Sequence, residues 1–382
     1  RVRKQPSTPT SSWSQKIILP TNLLVTQLRL LCPLLADVIN QSLSSGSVPA
    51  HLKTAVIILL LKNPYLDPSN PSHYHLISNL PFLAKVLECI VVNQLYTHLF
   101  SHSLFETLQS GIRPAHSTET ALVKVANNIL SICDRGSLCL LVLLDLSSGF
   151  DTVDHAILLH HFSSVIHLSG TELAWFESYL TNRQQYICTN GFSSCSHQVT
   201  CKIPQGSILG PLLFLIYMLP LGDVIICRHG VHFHMYADDT QLYFFTSLCD
   251  PQYPDVLSAC LSDLRSWMSV NFLQLNVDKT EAILFGSHQR LKSHGSHLLH
   301  LPNLPLKLSE PIRNLGVRFD PQLSFLPPHP VPHQHRFLPP PTHRPCLPIR
   351  HPRTETLVHA FVTSRLLSFK CPPRRSSLLY DS

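Results

Sequence analysis

Apolar residues recur at helical spacing over 21–45 (Leu23, Leu24, Leu28, Leu31, Leu34, Leu35) and predict a packed helix after a polar, Ser/Thr/Pro-rich linker over 1–20. A short apolar run from Thr54 to Leu61, closed by Lys62 and followed by an Asn/Pro/Ser-rich stretch to Ser72, predicts a strand and a long turn. Leu83, Val86, Leu87, Ile90, Val91 and Leu95 mark a second helix within 81–101, and 118–133 repeats the pattern. From Leu138 to Leu144 every residue is apolar, as in a strand buried on both faces, and the run stops at Asp145. Helices are then expected near 153–165 and 171–180, followed by a hairpin that turns at Asn190-Gly191. After Pro204-Gln205-Gly206-Ser207 comes an apolar helix to Leu219. Val231 to Tyr236 and Gln241 to Phe245 flank Ala237-Asp238-Asp239-Thr240, which predicts a second hairpin with an acidic tip. A helix near 257–272 and a strand near 281–285 complete an α+β unit. Beyond Phe325 the periodicity fails, because 326–352 is crowded with Pro and His and supplies no core; a short helical island returns over 356–367.

Length changes this picture little: 382 residues allow a large core and two or three structural units rather than one small module. Charged residues are only 14%, against roughly 25% in ordinary domains. The net charge of +6 favours a polyanionic partner, since Lys and Arg contacts to phosphate gain from counterion release. Twelve cysteines without a C-x-x-C pair give neither a zinc ribbon nor a redox motif, and a reduced, intracellular protein is expected, nuclear or cytoplasmic. The most apolar stretch, 208–222, is interrupted by Pro211, Pro220 and Gly222, so no transmembrane helix and no membrane partner are expected. The start, Arg-Val-Arg-Lys-Gln-Pro, lacks an initiating Met and a hydrophobic signal core, which suggests a piece of a longer protein.

The acidic residues bring in chemistry. Phosphoryl transfer to a 3'-hydroxyl uses two divalent cations about 3.5 to 4 Å apart, one activating the nucleophile and one steadying the leaving group. Magnesium takes hard oxygen ligands and keeps several waters, so two or three aspartates on rigid neighbouring strands suffice. Asp145 closes one apolar strand, and Asp238-Asp239 sits in a hairpin about ninety residues later. Any one of them alone reads as an ordinary turn residue.

Several blocks carry a resemblance. They are Ser110-Gly-Ile-Arg-Pro-Ala-His-Ser-Thr-Glu-Thr-Ala-Leu122, Leu144-Asp-Leu-Ser-Ser-Gly-Phe-Asp-Thr-Val-Asp-His155 and Ile203-Pro-Gln-Gly-Ser-Ile-Leu-Gly-Pro211. Tyr236-Ala-Asp-Asp-Thr-Gln-Leu-Tyr243, Asn276-Val-Asp-Lys-Thr-Glu281 and Asn314-Leu-Gly-Val317 follow in order. The chain resembles the reverse transcriptase domain of LINE-type retrotransposons, those without long terminal repeats. The resemblance implies an α+β right-hand polymerase with fingers, a palm of antiparallel sheet and packed helices, and a thumb. Fingers with N-terminal helices are expected over 21–135, the palm over 136–290, a connection over 291–325, and a degraded, largely disordered thumb over 326–382.

The resemblance also implies roles. Asp145 and Asp238 would ligate two Mg2+ ions, or Mn2+ in their place, with Asp239 supporting the site. Phe150 matches a steric gate against a ribose 2'-hydroxyl; read by itself it is a core aromatic. Gln205 and Gly206 match a loop along the template base and incoming nucleotide, where Gly permits close backbone approach. Lys279 matches a lysine that protonates the pyrophosphate leaving group. Lys62 and Arg113 are candidates for triphosphate and template-backbone contacts. Tyr236 precedes the acidic tip and is assigned with the nucleic acid, and Gly316 lies in a segment that helps hold the primer end.

Two departures stand out. His75, in Tyr74-His-Leu-Ile-Ser78, replaces an Arg of the family, and a neutral imidazole has neither the charge nor the fork of a guanidinium. The Pro/His tract at 326–352 occupies the place of a helical thumb, as a reading-frame slip in a decaying genomic copy would leave it. The expected function is RNA-directed DNA polymerase, with RNA template, DNA primer and deoxynucleoside triphosphates as partners. The alternatives are a catalytically inactive relic and a non-catalytic nucleic-acid-binding protein; no nuclease motif is visible.

Overall fold

The computed structural model describes residues 3–4, 21–106, 108–111, 113, 116–147, 149–189, 192–229, 231–246, 253–276, 278–292, 307–308 and 311–323. The Pro/His tract, the island at 356–367 and the Asn190-Gly191 turn lie outside the described residues. In chain order the elements are β1 (Arg3–Lys4), α1 (Thr21–Ser45), β2 (Thr54–Leu61), β3 (Tyr74–Asn79), α2 (Phe82–Ser101), α3 (Thr118–Asp134) and β4 (Leu138–Leu144). They continue with α4 (His155–Ser164), α5 (Gly170–Leu180), β5 (Arg183–Thr189), β6 (Phe192–Ser193), β7 (His197–Val199) and α6 (Gly210–His229). The last are β8 (His232–Tyr236), β9 (Asp239–Thr246), α7 (Tyr253–Val270), β10 (Glu281–Phe285), β11 (Lys307–Leu308), β12 (Ile312–Asn314) and β13 (Val317–Phe319). The chain is α+β, as its periodicities predict.

The chain divides into two compact units. One gathers 1–112, 146–230 and 261–275; the other takes 113–145, 231–260 and the described chain from 276 onward. In the first, β2 pairs antiparallel with β3 and parallel with β5, which also carries β6 and β7. Helices α4, α5 and α6 pack on one another, and α1 packs on α5. Their core is aromatic: Phe162 stacks on Phe176 at 4.1 Å, Trp175 meets Phe176 edge-on, and Tyr217 is fully buried. The Asp154 carboxylate accepts from the backbone N–H groups of Ala156 and Ile157 at 2.8 and 2.9 Å, which fixes the start of α4.

Sequence reading ends the apolar helix at Leu219, but α6 runs through Pro220 to His229. Proline removes one helical hydrogen bond. Leu212 through Met218, Leu221 and Ile225 are buried, so packing holds the helix across that gap. Strand β3 has no apolar alternation because it is an edge strand, with Leu76 and His75 exposed.

The second unit is built on the sheet β11-β10-β4-β9-β8, antiparallel except where β11 runs parallel to β10. β4 is central and buried nearly throughout, the environment its unbroken apolar run anticipates. Ser117 and Thr120 form a reciprocal capping box that starts α3. That helix lays Leu122, Val125, Ala126 and Ile129 over Cys139, Leu141, Tyr243 and Ile283, and the short hairpin β12–β13 adds Ile312 and Phe319 to the same core. Among the described residues no helix is long and apolar enough to cross a membrane.

His234 on β8 is 0% exposed, and neither ring nitrogen has a hydrogen-bond partner. Burial, with Lys124 and His116 nearby, pushes its pKa down to about 4. The unfolded chain therefore binds a proton near pH 6.5 that the folded chain refuses until about 4, so this residue costs stability as pH falls through that window. His155 and His161 are lowered by burial as well and add to the slope. We expect His234→Leu, similar in volume and without polar atoms, to raise stability by about 1–2 kcal/mol at pH 7. Urea unfolding followed from pH 7 to 4 should show a flatter decline in the variant, and an unchanged slope would contradict this account of the residue.

Candidate active site

The acidic site follows from strand pairing. Leu144 at the end of β4 is registered against Thr240 of β9, and one further step sets Asp145 against Asp239. Tyr236 and Asp239 form the closing pair of β8–β9, leaving Ala237 and Asp238 as a two-residue turn. Ala237 takes a φ of +56°, a conformation that costs a residue with a Cβ about 1–2 kcal/mol. Strain is thus stored at the acidic tip.

Asp238 and Asp239 both hold protons more tightly than free carboxylates do. Burial pushes Asp238 up and the Asp145 charge adds to it, against its own backbone hydrogen bond and Lys279. Asp239 is pushed up to about 6 by burial, then by Asp238 and Asp145, with Lys279 opposing. Its side chain still meets solvent, so the repulsion among the carboxylates is the firmer part of that shift. Lys279 Nζ stands 3.3 Å from Asp145 Oδ2, yet that buried oxygen has no hydrogen bond: the ammonium is near enough to attract but poorly directed. With the lysine side chain 70% exposed, the pair contributes at most about 1 kcal/mol.

These residues fit a hard divalent cation by their donor chemistry: oxygen ligands, under-neutralised charge and an orphaned carboxylate oxygen. Among the described residues no group of three or more His, Cys, Asp or Glu side chains encloses an ion alone. Magnesium does not require that, since one or two carboxylates with waters and substrate phosphates complete its shell. A cavity of about 180 Å³ adjoins the site, lined in part by Asp145, Asp239, Lys279, Glu281, Arg313 and Asn314.

The β12–β13 hairpin beside this cavity is held by a reciprocal amide pair: Gln241 Nε2 donates to Asn314 Oδ1, and Asn314 Nδ2 donates to Gln241 Oε1, each at 2.9 Å. Both residues are buried. Gly316 turns the hairpin with a φ of +89°. Tyr236 is half-buried at the base of the acidic turn, and the partly buried Arg113 lies in the segment that leads into α3.

Phe150, Gln205, Gly206, Lys62 and His75 belong to the other unit. Phe150 sits on the short 3-10 turn Gly149–Asp151, and its ring stacks on Phe214 at 4.7 Å. A Cβ on Gly149 would stand 3.1 Å from that Phe214 ring, so glycine lets the two rings stack this close to the backbone. The Phe150 carbonyl accepts from Ile203 N–H at 2.9 Å, and Gln205 O accepts from Ser78 N–H at 2.7 Å. Gly206 has a φ of +110°, and a Cβ there would lie 2.9 Å from Ser78 O, so only glycine fits against β3. Backbone bonds therefore join Phe150, the 203–206 loop and β3. His75, paired with Leu60, and Lys62 are exposed on β3 and just beyond β2.

Sequence reasoning passed over Gln241 as a partner of Asn314, and it passed over Glu88. The signal for Glu88 is available: it is a charge on the buried face of α2, beside Ala84, Leu87, Val91, Leu95 and Leu99.

A family model described as reverse transcriptase (RNA-dependent DNA polymerase) matches residues 61–319. The chain belongs to the reverse transcriptase family. Its relatives include a probable RNA-directed DNA polymerase from transposon X-element of Drosophila melanogaster, 26% identical over 70% of this chain and 29% of the relative. The RNA-directed DNA polymerase from mobile element jockey of Drosophila funebris is 28% identical over 75% of this chain and 31% of its own length. A putative 115 kDa protein in the type-1 retrotransposable element R1DM of Drosophila melanogaster is 30% identical over 54% of this chain and 19% of its own. The chain thus spans less than a third of these relatives. Among solved structures, apo telomerase from Candida tropicalis, truncated from the C-terminal domain, aligns with a TM-score of 0.47 and 9% identity, covering 72% of this chain and 54% of that one. This reverse transcriptase chain shares with LINE-like elements the family that its motifs anticipate.

Ala237→Gly should relieve the strained turn and raise stability by up to about 1 kcal/mol, the lost strain being partly offset by glycine's greater unfolded-state freedom. A chemical-denaturation midpoint that stays put or falls would show that the turn is not strained.

Proposed function

We propose that this chain is the polymerase portion of a retrotransposon reverse transcriptase that extends a DNA primer on an RNA template. The observation that carries the reading is the convergence of Asp145, Asp238 and Asp239 at one sheet end, where their repulsion calls for a divalent cation. On this reading the sheet of the second unit belongs to the palm and β2–β3 to the fingers, although the division of the chain puts 146–230 with 1–112 and 113–135 with the acidic sheet, and so does not follow the expected boundary between 21–135 and 136–290. Asp145 and Asp238 would hold two Mg2+, or Mn2+, and Asp239 would support them. Bound there, the metals would activate the primer 3'-hydroxyl and steady the pyrophosphate leaving group.

The side chains would then divide the work. Lys279, now on Asp145, would lose that attraction once a cation neutralises the carboxylate, and its ammonium could give a proton to the leaving group. Phe150, braced on Phe214, would fill the space of a ribose 2'-hydroxyl. Gln205 and Gly206 would present backbone to the template base and nucleotide, and Lys62 and Arg113 would contact phosphates. Tyr236 would lie along the nucleic acid, and the Gly316 hairpin would support the primer end. The structure bearing on these roles is a set of positions in the two units, and His75 favours a second reading: a folded relic whose nucleotide grip has decayed.

Two measurements separate the readings. Asp238→Asn should abolish magnesium-dependent incorporation on a primed RNA, by about a hundredfold or more, while leaving primer–template binding in place. No incorporation by the parent chain with any divalent metal would remove the polymerase reading. His75→Arg should lower the nucleotide KM by about tenfold, roughly 1.4 kcal/mol of restored charge-assisted contact; an unchanged KM would show that position 75 does not face the triphosphate.

A further inference from the structure

Helix α2 carries a single acidic residue, Glu88, and it is only 1% exposed. Burying a carboxylate is costly unless donors converge on it. Here two do. Tyr179 Oη donates to Oε1 and the backbone N–H of Ile208 donates to Oε2, both at 2.7 Å, the short range of charge-assisted hydrogen bonds. Tyr179 is itself buried on α5 and fixed from three directions. Its ring stacks on Trp175 at 5.4 Å, the Arg183 guanidinium lies 4.7 Å from the ring centroid, and Arg183 Nη1 donates to its carbonyl at 3.0 Å.

Ile208 follows directly on Gln205-Gly206-Ser207. Ile208 is 43% exposed between the buried Ile203 and Leu209, so its own side chain does not fix the position of its amide; the backbone bond to Glu88 does. On the other side Gln205 O takes the Ser78 N–H, and Ser207 Oγ accepts from Gly210 N–H at 2.8 Å as α6 begins. A neutral apolar residue at 88 would leave the Ile208 N–H without its acceptor.

We propose that Glu88, held by Tyr179, is a positioning residue that sets the height of the Gln205-Gly206 loop, and so the fit of the incoming nucleotide, an inference that rests on the polymerase reading above. The carboxylate touches neither substrate nor metal in this account. It acts through the Ile208 amide.

The test uses the full chain and three variants. In Glu88→Ala, amide hydrogen exchange over 203–210 should quicken by about tenfold while β4 and β9 keep their protection. In primed-RNA extension the same variant should raise the nucleotide KM by about tenfold or more with primer–template affinity unchanged, because a small displacement of a positioning loop is felt in substrate fit. Tyr179→Phe, which keeps the ring and its stacking, should give a milder shift in the same sense and serves if Glu88→Ala does not fold. Glu88→Gln can accept from Ile208 with its oxygen and donate to Tyr179 with its amide, so it should restore the KM to within about twofold of the parent. Unchanged exchange over 203–210, or a KM that rises only in step with lost primer–template affinity, would overturn the clamp alone. A parent chain that binds primed RNA but never extends it would overturn the polymerase reading and this inference with it.

Discussion

The pairing of Leu144 with Thr240 is the constraint from which the acidic site follows. Side chains along a strand alternate in direction, so a one-residue slip between β4 and β9 would turn Asp145 away from the Asp238-Asp239 turn. The unbroken apolar run from Leu138 to Leu144 resists that slip only in part, since it is apolar on both faces. The β4–β9 register is pinned more firmly by the core that α3 closes over Cys139, Leu141 and Tyr243, while the two-residue turn at Ala237-Asp238 fixes β8 on β9. The strained Ala237 is held because both flanking strands are fully paired.

Acidic charge is concentrated at one end of the second unit's sheet. Burial and the charge of their neighbours both disfavour the ionised forms of Asp238 and Asp239 at the end of this sheet, and the Lys279 ammonium is too exposed and too poorly directed to offset them. A fold that kept such a site for stability alone would do better with apolar residues. The other unit applies the same logic to backbone rather than metal: Glu88 is buried where it satisfies a loop amide, and Gly206 permits the loop to lie against Ser78.

Much of this was legible beforehand, for physical reasons. A strand buried on both faces writes itself as a continuous apolar run, and a carboxylate at its end is conspicuous, so β4 and Asp145 could be read directly. The Tyr236–Thr240 hairpin was equally plain, because alternation on either side and polar residues between leave few other structures. Other features leave weaker marks. Edge strand β3 and the three-residue strands β12 and β13 bury too few positions to show a period. Helix α6 continues past Pro220 because tertiary packing overrides a local breaker. The Gln241–Asn314 and Glu88–Ile208 bonds join residues 73 and 120 positions apart, which no local pattern encodes. The ion pair of Lys279 with Asp145 was likewise unread, although both residues stood in quoted motifs.

Family membership accounts for the order of the motifs, whereas the present state of the site depends on these particular side chains. His75 is an imidazole where the resemblance would place an Arg, while the carboxylates at the sheet end stand together. Metal binding without substrate tests that contrast most directly. In a titration of the intact chain with Mn2+ followed by electron paramagnetic resonance, bound Mn2+ should be displaced by Mg2+ and lost in Asp145→Asn. Absence of binding, or binding indifferent to that substitution, would contradict a metal site built on the β4–β9 register.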